Sequence, residues 1–132
     1  MRKSTLQWKT YSFEASPSNE GNKNWLDLVI TNSDTSWSVF SRVSHVVDAK
    51  VWKRELIKFK DGEGDIAEVF KLGSDFSIRL LRKEGIIYCS VNLNPDPLLE
   101  NYSETIEFKA DDIDSLIDFI ENFIREYETL VG

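Results

Sequence analysis

The stretch that most restricts the fold is the last one. Ile113, Leu116, Ile117, Ile120, Phe123, Ile124 and Tyr127 recur at spacings of three and four, which is one continuous face of an α-helix. Asp111 stands where an N-cap is wanted. Asp112 and Asp114 fall in the first turn, where negative charge meets the helix dipole favourably. The pattern predicts an amphipathic helix over about 112–130. Each large side chain in the stripe is worth about 1.5–3 kcal/mol if fully buried, so the rest of the chain must supply a surface to cover it.

That surface reads as sheet. Leu6 to Phe13 has the mixed pattern of an edge strand. Ser16 to Asn24 is a turn-rich loop. In Trp25–Ile30 the side chains of Leu26, Leu28 and Ile30 share one face and Asp27 takes the other. Thr31 to Asp34 turns the chain, and Trp37 to Ser41 returns to close a hairpin. The period then lengthens: Ala49, Trp52, Leu56 and Phe59 form a helical stripe over about 46–60, with Ser44 or Asp48 as its cap. Gly62 and Gly64 end it, since each would cost about 1 kcal/mol in a helix interior. Ile66–Leu72 is a strand of open facing. Phe76, Ile78 and Leu80 alternate with polar neighbours, as do Ile87, Cys89, Val91 and Leu93, so these two runs predict a hairpin about Arg82 to Gly85. Asn94 to Pro97 breaks the strand. Thr105 to Lys109 returns with Ile106 and Phe108 facing inward. The expected fold is α+β: an antiparallel β-sheet of about six to seven strands with two amphipathic helices, in one domain over residues 1–132. Two helices cannot cover both faces of such a sheet, so some aromatics should fill a second small core or stay exposed. Strand order remains open, and no internal repeat is visible in the sequence.

The charge is uneven. The net charge is −7. Residues 93–132 hold eleven Asp and Glu against Lys109 and Arg125, a balance of −9, which leaves +2 for the first 92 residues. This disfavours nucleic acid and anionic membranes as partners and favours a basic protein. A solvated acidic helix would carry the same charge for solubility alone. Cys89 is the single cysteine, so no internal disulfide is expected. No apolar core follows Met1-Arg2-Lys3 and no run of 18 apolar residues occurs, so neither a secretion signal nor a membrane span is expected and the cytoplasm is the simplest compartment.

Catalytic chemistry finds little to use. His45 and Cys89 are single and far apart, whereas catalytic zinc needs three ligands and structural zinc four. Asp61-Gly62-Glu63-Gly64-Asp65 fails as a calcium loop, because position 6 counted from Asp61 is Ile66 and position 12 is Leu72. Nucleophile-elbow, dinucleotide and phosphate-loop motifs are absent from the sequence. Carboxylates are too numerous to mark a pair across a cleft. No catalytic residue, cofactor or metal is therefore expected. Cys89 reads as a buried apolar residue and His45 as a surface or capping residue. Among the four tryptophans, Trp52 belongs to the first helix's stripe. Trp25 lies opposite Leu26 and Leu28, so it is either an exposed interface residue or packed beneath the N-terminal strand.

The order of elements over residues 46–128 resembles the WapI-like bacterial immunity proteins. The resemblance runs through Trp52-Lys53-Arg54-Glu55-Leu56, Asp75-Phe76-Ser77-Ile78-Arg79-Leu80, Gly85-Ile86-Ile87-Tyr88, Glu104-Thr105-Ile106-Glu107-Phe108 and the helix from Asp111. It is one of pattern, and the first 45 residues match less clearly. It implies a non-enzymatic, cytosolic inhibitor that binds the catalytic domain of a cognate toxin, often a nuclease. Charge and helix facing nominate Asp114, Asp118 and Glu121 as partner-binding residues, with Trp25 as an aromatic contact. Two alternatives stay open: a structural or regulatory subunit acting through an oligomeric interface, and a small-molecule binder or enzyme built around a pocket with His45 and carboxylates.

Overall fold

The computed structural model describes residues 3–18, 25–43, 46–73, 75–96 and 100–131. The order is β1 (Ser4–Trp8), β2 (Tyr11–Pro17), β3 (Leu26–Asn32), β4 (Ser38–Val43), α1 (Val46–Lys60), β5 (Ile66–Leu72), β6 (Phe76–Lys83), β7 (Ile86–Asp96), β8 (Glu100–Phe108) and α2 (Ala110–Val131). The α+β class with two helices holds, but the single sheet of six to seven strands does not. Eight strands form two four-stranded antiparallel sheets, ordered β1-β2-β3-β4 and β5-β6-β7-β8. Each half of the chain is thus a four-stranded meander followed by a helix.

The extra strand comes from the N-terminus. Leu6 and Trp8 point inward, and then Tyr11, Phe13 and Ala15 do. That change of parity requires a turn, which Lys9 and Thr10 make as Trp8 pairs with Tyr11. Lys9 takes a φ of 52° there. A second parity change settles the facing of β5. The register slips between Val69 and Leu72, so Val69 and Phe70 are both buried. Phe70 sits at a φ of 52°, a strained conformation for a bulky residue. The bulge places its ring 4.9 Å from Trp52 and Phe123, 5.1 Å from Phe13 and 5.6 Å from Phe119. Phe70 is therefore the point where both sheets and both helices meet.

Other local expectations can be checked in the same way. Leu26, Leu28 and Ile30 are buried, as are Ala49, Trp52, Leu56 and Phe59. Helix α1 stops at Lys60 by a Schellman arrangement: Gly62 N–H donates to the Phe59 carbonyl and Glu63 N–H to the Lys58 carbonyl, with Gly62 at a φ of 89°. The break at Asn94 to Pro97 is corrected. Strand β7 runs on to Asp96, and β8 begins at Glu100 rather than Thr105. Pro95 is tolerated because the register shifts between Leu93 and Asp96. Asp111 is not the N-cap of α2. The helix starts at Ala110, and Asp112 reaches back to accept the Lys109 N–H at 2.9 Å, the return half of a capping box. The buried stripe of α2 also takes in Phe119 and Leu130, while Ile117 and Ile124 are only partly buried. Ser44, His45, Asn19 to Asn24, Ser74, Pro97 and Gly132 lie outside the described residues.

The core lies between the inner faces of the sheets and is closed by the helices. Phe13 of β2 stands 5.5 Å from Phe76 of β6, and Phe119 of α2 rests 4.9 Å from Phe13. The Tyr11 hydroxyl donates to Glu104 of β8 at 2.8 Å, and the Tyr102 hydroxyl donates to the other oxygen of the same carboxylate at 2.8 Å. Burial and then Glu104 push the Tyr11 hydroxyl well above the ordinary tyrosine range. One carboxylate thereby fastens the first sheet to the second.

Candidate functional site

The acidic residues of α2 divide into two stripes. Asp114, Glu121 and Glu128, seven apart, face α1. They meet Lys60 at 2.5 Å, Lys53 at 3.2 Å and Lys50 at 3.9 Å. Rising numbers in one helix match falling numbers in the other, so α1 and α2 run antiparallel. Lys60 has its pKa raised, first by its hydrogen bond to Asp114. These pairs are half exposed and each contributes little to stability, but they neutralise two of the residues nominated for partner binding. Asp111, Asp118 and Glu126 form the second stripe. Among the described residues they have no ion-pair partner.

Asp118 of the second stripe lines a groove of about 530 Å³ between β1 and α2. Thr5, Leu6, Gln7, Trp8 and Lys9 line one wall, and Asp112, Ser115, Asp118, Phe119 and Asn122 line the other. Strand residues of both parities take part, so the groove follows the edge of β1 rather than one of its faces. Lys9 closes one end, 3.4 Å from Asp112 and 5.3 Å from the Phe108 ring centre. The N–H of Lys109 holds the Asp112 carboxyl below its usual range, with Lys9 adding to the effect. Trp8 is 4 % exposed, and its indole N–H is buried with no acceptor among the described residues. Such a donor costs about 1–3 kcal/mol.

Among the described residues, no strand pairs with the outer side of β1. Ser18 N–H donates to the Trp25 carbonyl and Ser33 N–H to the Thr10 carbonyl. The even residues of β2 therefore bond to β3, and its odd residues to β1. In the register of β1, Ser4, Leu6 and Trp8 face those odd residues. Thr5 and Gln7 occupy the alternate pairs, so their main-chain N–H and C=O groups point away from β2.

Trp25 lies elsewhere. The inner residues of β3 face the core beneath α2, so Trp25, Asp27 and Val29 occupy the opposite face of the sheet. There Arg42 is paired with Asp27 at 2.8 Å and stands 5.7 Å from the Trp25 ring and 5.5 Å from Phe40, which is 52 % exposed. Trp25 is partly exposed and is not packed beneath the N-terminal strand. The nominated residues thus fall in three places: Asp114 and Glu121 against α1, Asp118 on the groove, and Trp25 on the far face. The outer face of the second sheet carries an exposed apolar row, in which Ile66 is paired with Leu81 and Leu81 with Tyr88.

Cys89 is buried on the inner face of β7, and burial pushes its thiol up to about 12. Among the described residues, no group of three His, Cys, Asp or Glu side chains is placed to hold a metal. His45 lies outside them, so a pocket built on it does not enter the description. No described helix is long and apolar enough to cross a membrane. No protein-family model and no curated protein matches the chain.

Proposed function

We propose that this protein is a non-enzymatic protein-binding module of the immunity type, which captures and neutralises a cognate bacterial toxin through a basic surface such as that of a nuclease. The observation that carries this reading is the acidic stripe of Asp111, Asp118 and Glu126, which has no ion-pair partner among the described residues and reaches the β1 edge at Asp118. A nuclease is basic where it holds phosphates, and acidic groups without internal partners are the ones able to meet it. The resemblance of the element order to WapI-like immunity proteins supports the same reading, under which the protein would act in the cytoplasm.

The test is protection. Each candidate toxin domain encoded by the neighbouring genes is induced in a bacterial host with and without the protein, and survival is counted. Two variants of equal charge then separate local contact from general field. Asp118→Lys with Glu126→Lys, and Asp114→Lys with Glu121→Lys, each take the net charge from −7 to −3. Both should slow association at low salt. Only the first pair should also speed dissociation, by about tenfold or more. If the unaltered protein gives no protection, or if both variants dissociate alike, the reading fails.

A second reading is favoured by the Ile66, Leu81 and Tyr88 row, which is the kind of exposed apolar surface that joins subunits. A structural subunit would form a stable oligomer that Leu81→Lys dissolves; a monomer by light scattering would remove this reading.

A further inference from the structure

The geometry points to a specific mode of capture: an extended segment of the partner lies in the groove between β1 and α2 and adds to the first sheet as a fifth strand. This rests on the binding function proposed above and names what the site takes.

Three features select the occupant. Thr5 and Gln7 direct main-chain donors and acceptors to the open side of β1, as the register requires. Those groups recognise another main chain in extended form, as sheet edges do when a peptide adds to them. The walls also agree in length. β1 spans five residues, about 17 Å at the strand rise, and Asp112 to Asn122 on α2 covers about 15 Å at the helical rise. A segment of about five residues fills both. Charge then sets composition. Asp118 lines the groove without an ion-pair partner among the described residues, so a lysine or arginine facing α2 meets it, and Leu6 and Phe119 on that same side offer apolar contact to its methylene stem. The Trp8 indole N–H in the same wall is buried without an acceptor among the described residues. A second copy of this chain fits poorly. Two molecules at −7 each repel, and the wall of the groove opposite β1 is the acidic helix α2.

The test uses the full chain and synthetic ten-residue probes: alternating valine and lysine, its glutamate counterpart, and the valine–lysine peptide N-methylated at every second amide. The valine–lysine probe should bind at least tenfold more tightly than the other two. On binding, the Thr5 and Gln7 amides should gain at least tenfold protection from hydrogen exchange. Gln7→Pro removes an outward N–H together with the side-chain bond to the Lys9 carbonyl; it should keep the fold and lose at least tenfold in affinity, whereas Gln7→Ala, which loses the same side-chain bond but keeps the N–H, should bind normally. Asp118→Lys should abolish the preference for lysine over glutamate. Strand capture is overturned if the valine–lysine probe does not bind, if N-methylation leaves affinity unchanged, or if light scattering shows a dimer whose formation protects the Thr5 and Gln7 amides. Should Gln7→Pro unfold the chain, the N-methylated probe and the exchange data still decide. The two proposals fail separately. An unaltered chain that gives no protection against the toxin removes the function and leaves the groove result standing. A folded Gln7→Pro chain that protects fully removes strand capture and leaves the function.

Discussion

Tyr11→Phe removes one oxygen atom and tests how the two sheets are joined. The Tyr11 ring is fully buried and keeps its neighbours in the variant, with Trp8 stacked at 5.8 Å and Phe76 edge-on at 5.8 Å. The 2.8 Å bond to Glu104 is lost, together with the weaker contact of the Asn32 side chain with the hydroxyl. A hydrogen bond to a charged partner is worth about 1.5–3 kcal/mol. Glu104 is only partly buried and retains Tyr102, so water offsets part of the loss and the expected cost is about 1–2 kcal/mol. For a chain of this size that is a fall in Tm of about 4–8 °C. In urea the midpoint should move while the slope m stays constant. Tyr102→Phe should cost less, because Tyr102 is half open to water. The pH dependence has a definite sign. The folded Tyr11 pKa is raised, mainly by burial, so its contribution is complete below the unfolded value of about 10 and declines as the pH rises beyond it. The gap between wild type and Tyr11→Phe should therefore narrow above about pH 10. A Tyr11→Phe variant within about 0.3 kcal/mol of wild type at neutral pH, or one less affected than Tyr102→Phe, would refute the account of a carboxylate fastening the sheets.

Asp112→Ala should cost about 0.5–1.5 kcal/mol near neutral pH, by losing the bond from Lys109 and the favourable charge at the helix start. Because the folded Asp112 pKa is lowered, first by that bond, the difference from wild type in urea melts should vanish as the pH drops below about 4. Cys89 should resist iodoacetamide in the native protein at pH 8 and react fully once denatured, since its thiol titrates at about 12; native labelling at the rate of a free thiol contradicts the buried placement. Glu121→Lys sets two lysines against each other across the helix pair and should lower stability by less than about 1 kcal/mol, with the loss shrinking in high salt; a salt-independent loss in thermal melts would assign Glu121 another role.

Legibility in the sequence followed periodicity. Both helices and the Phe76 to Leu93 hairpin were readable because their apolar residues keep one period throughout. At two places the period itself breaks. Leu6 and Trp8 are even and Tyr11 and Phe13 are odd, so a run read as one strand is two, joined at Lys9 and Thr10 without the Asn-Gly or Gly that usually marks a tight turn. At Val69 and Phe70 two adjacent apolar residues mark a bulge, which left the facing of β5 open until the register was known. The division into two sheets follows from contacts far apart in sequence, such as Phe13 on Phe76, which no local pattern records. The groove was hidden for the same reason. Its walls are more than 100 residues apart, and the free edge of β1 exists only because Lys9 and Thr10 turn the chain. Trp25 was readable as outward-facing from its alternation with Leu26, but its Arg42 and Phe40 neighbours belong to the register of β4.

The acidity of α2 changes meaning once α1 lies beside it. Lys50, Lys53 and Lys60 cancel Glu128, Glu121 and Asp114 at close range, yet they do not change the molecule's net charge. At distances beyond the Debye length of about 8–10 Å, screening leaves an approaching partner little to sense; within that range it meets the local arrangement. The paired stripe presents near-neutral dipoles there, and the unpaired stripe presents carboxylates. In the proposed capture, orientation on approach would be set by Asp111, Asp118 and Glu126, of which Asp118 lines the groove beside β1. Steering and main-chain pairing then act at one place, so a segment drawn in by charge arrives where hydrogen bonds are available to hold it. The lysines of α1 contribute by neutralising the other flank, which narrows the attractive surface to the groove side of the helix.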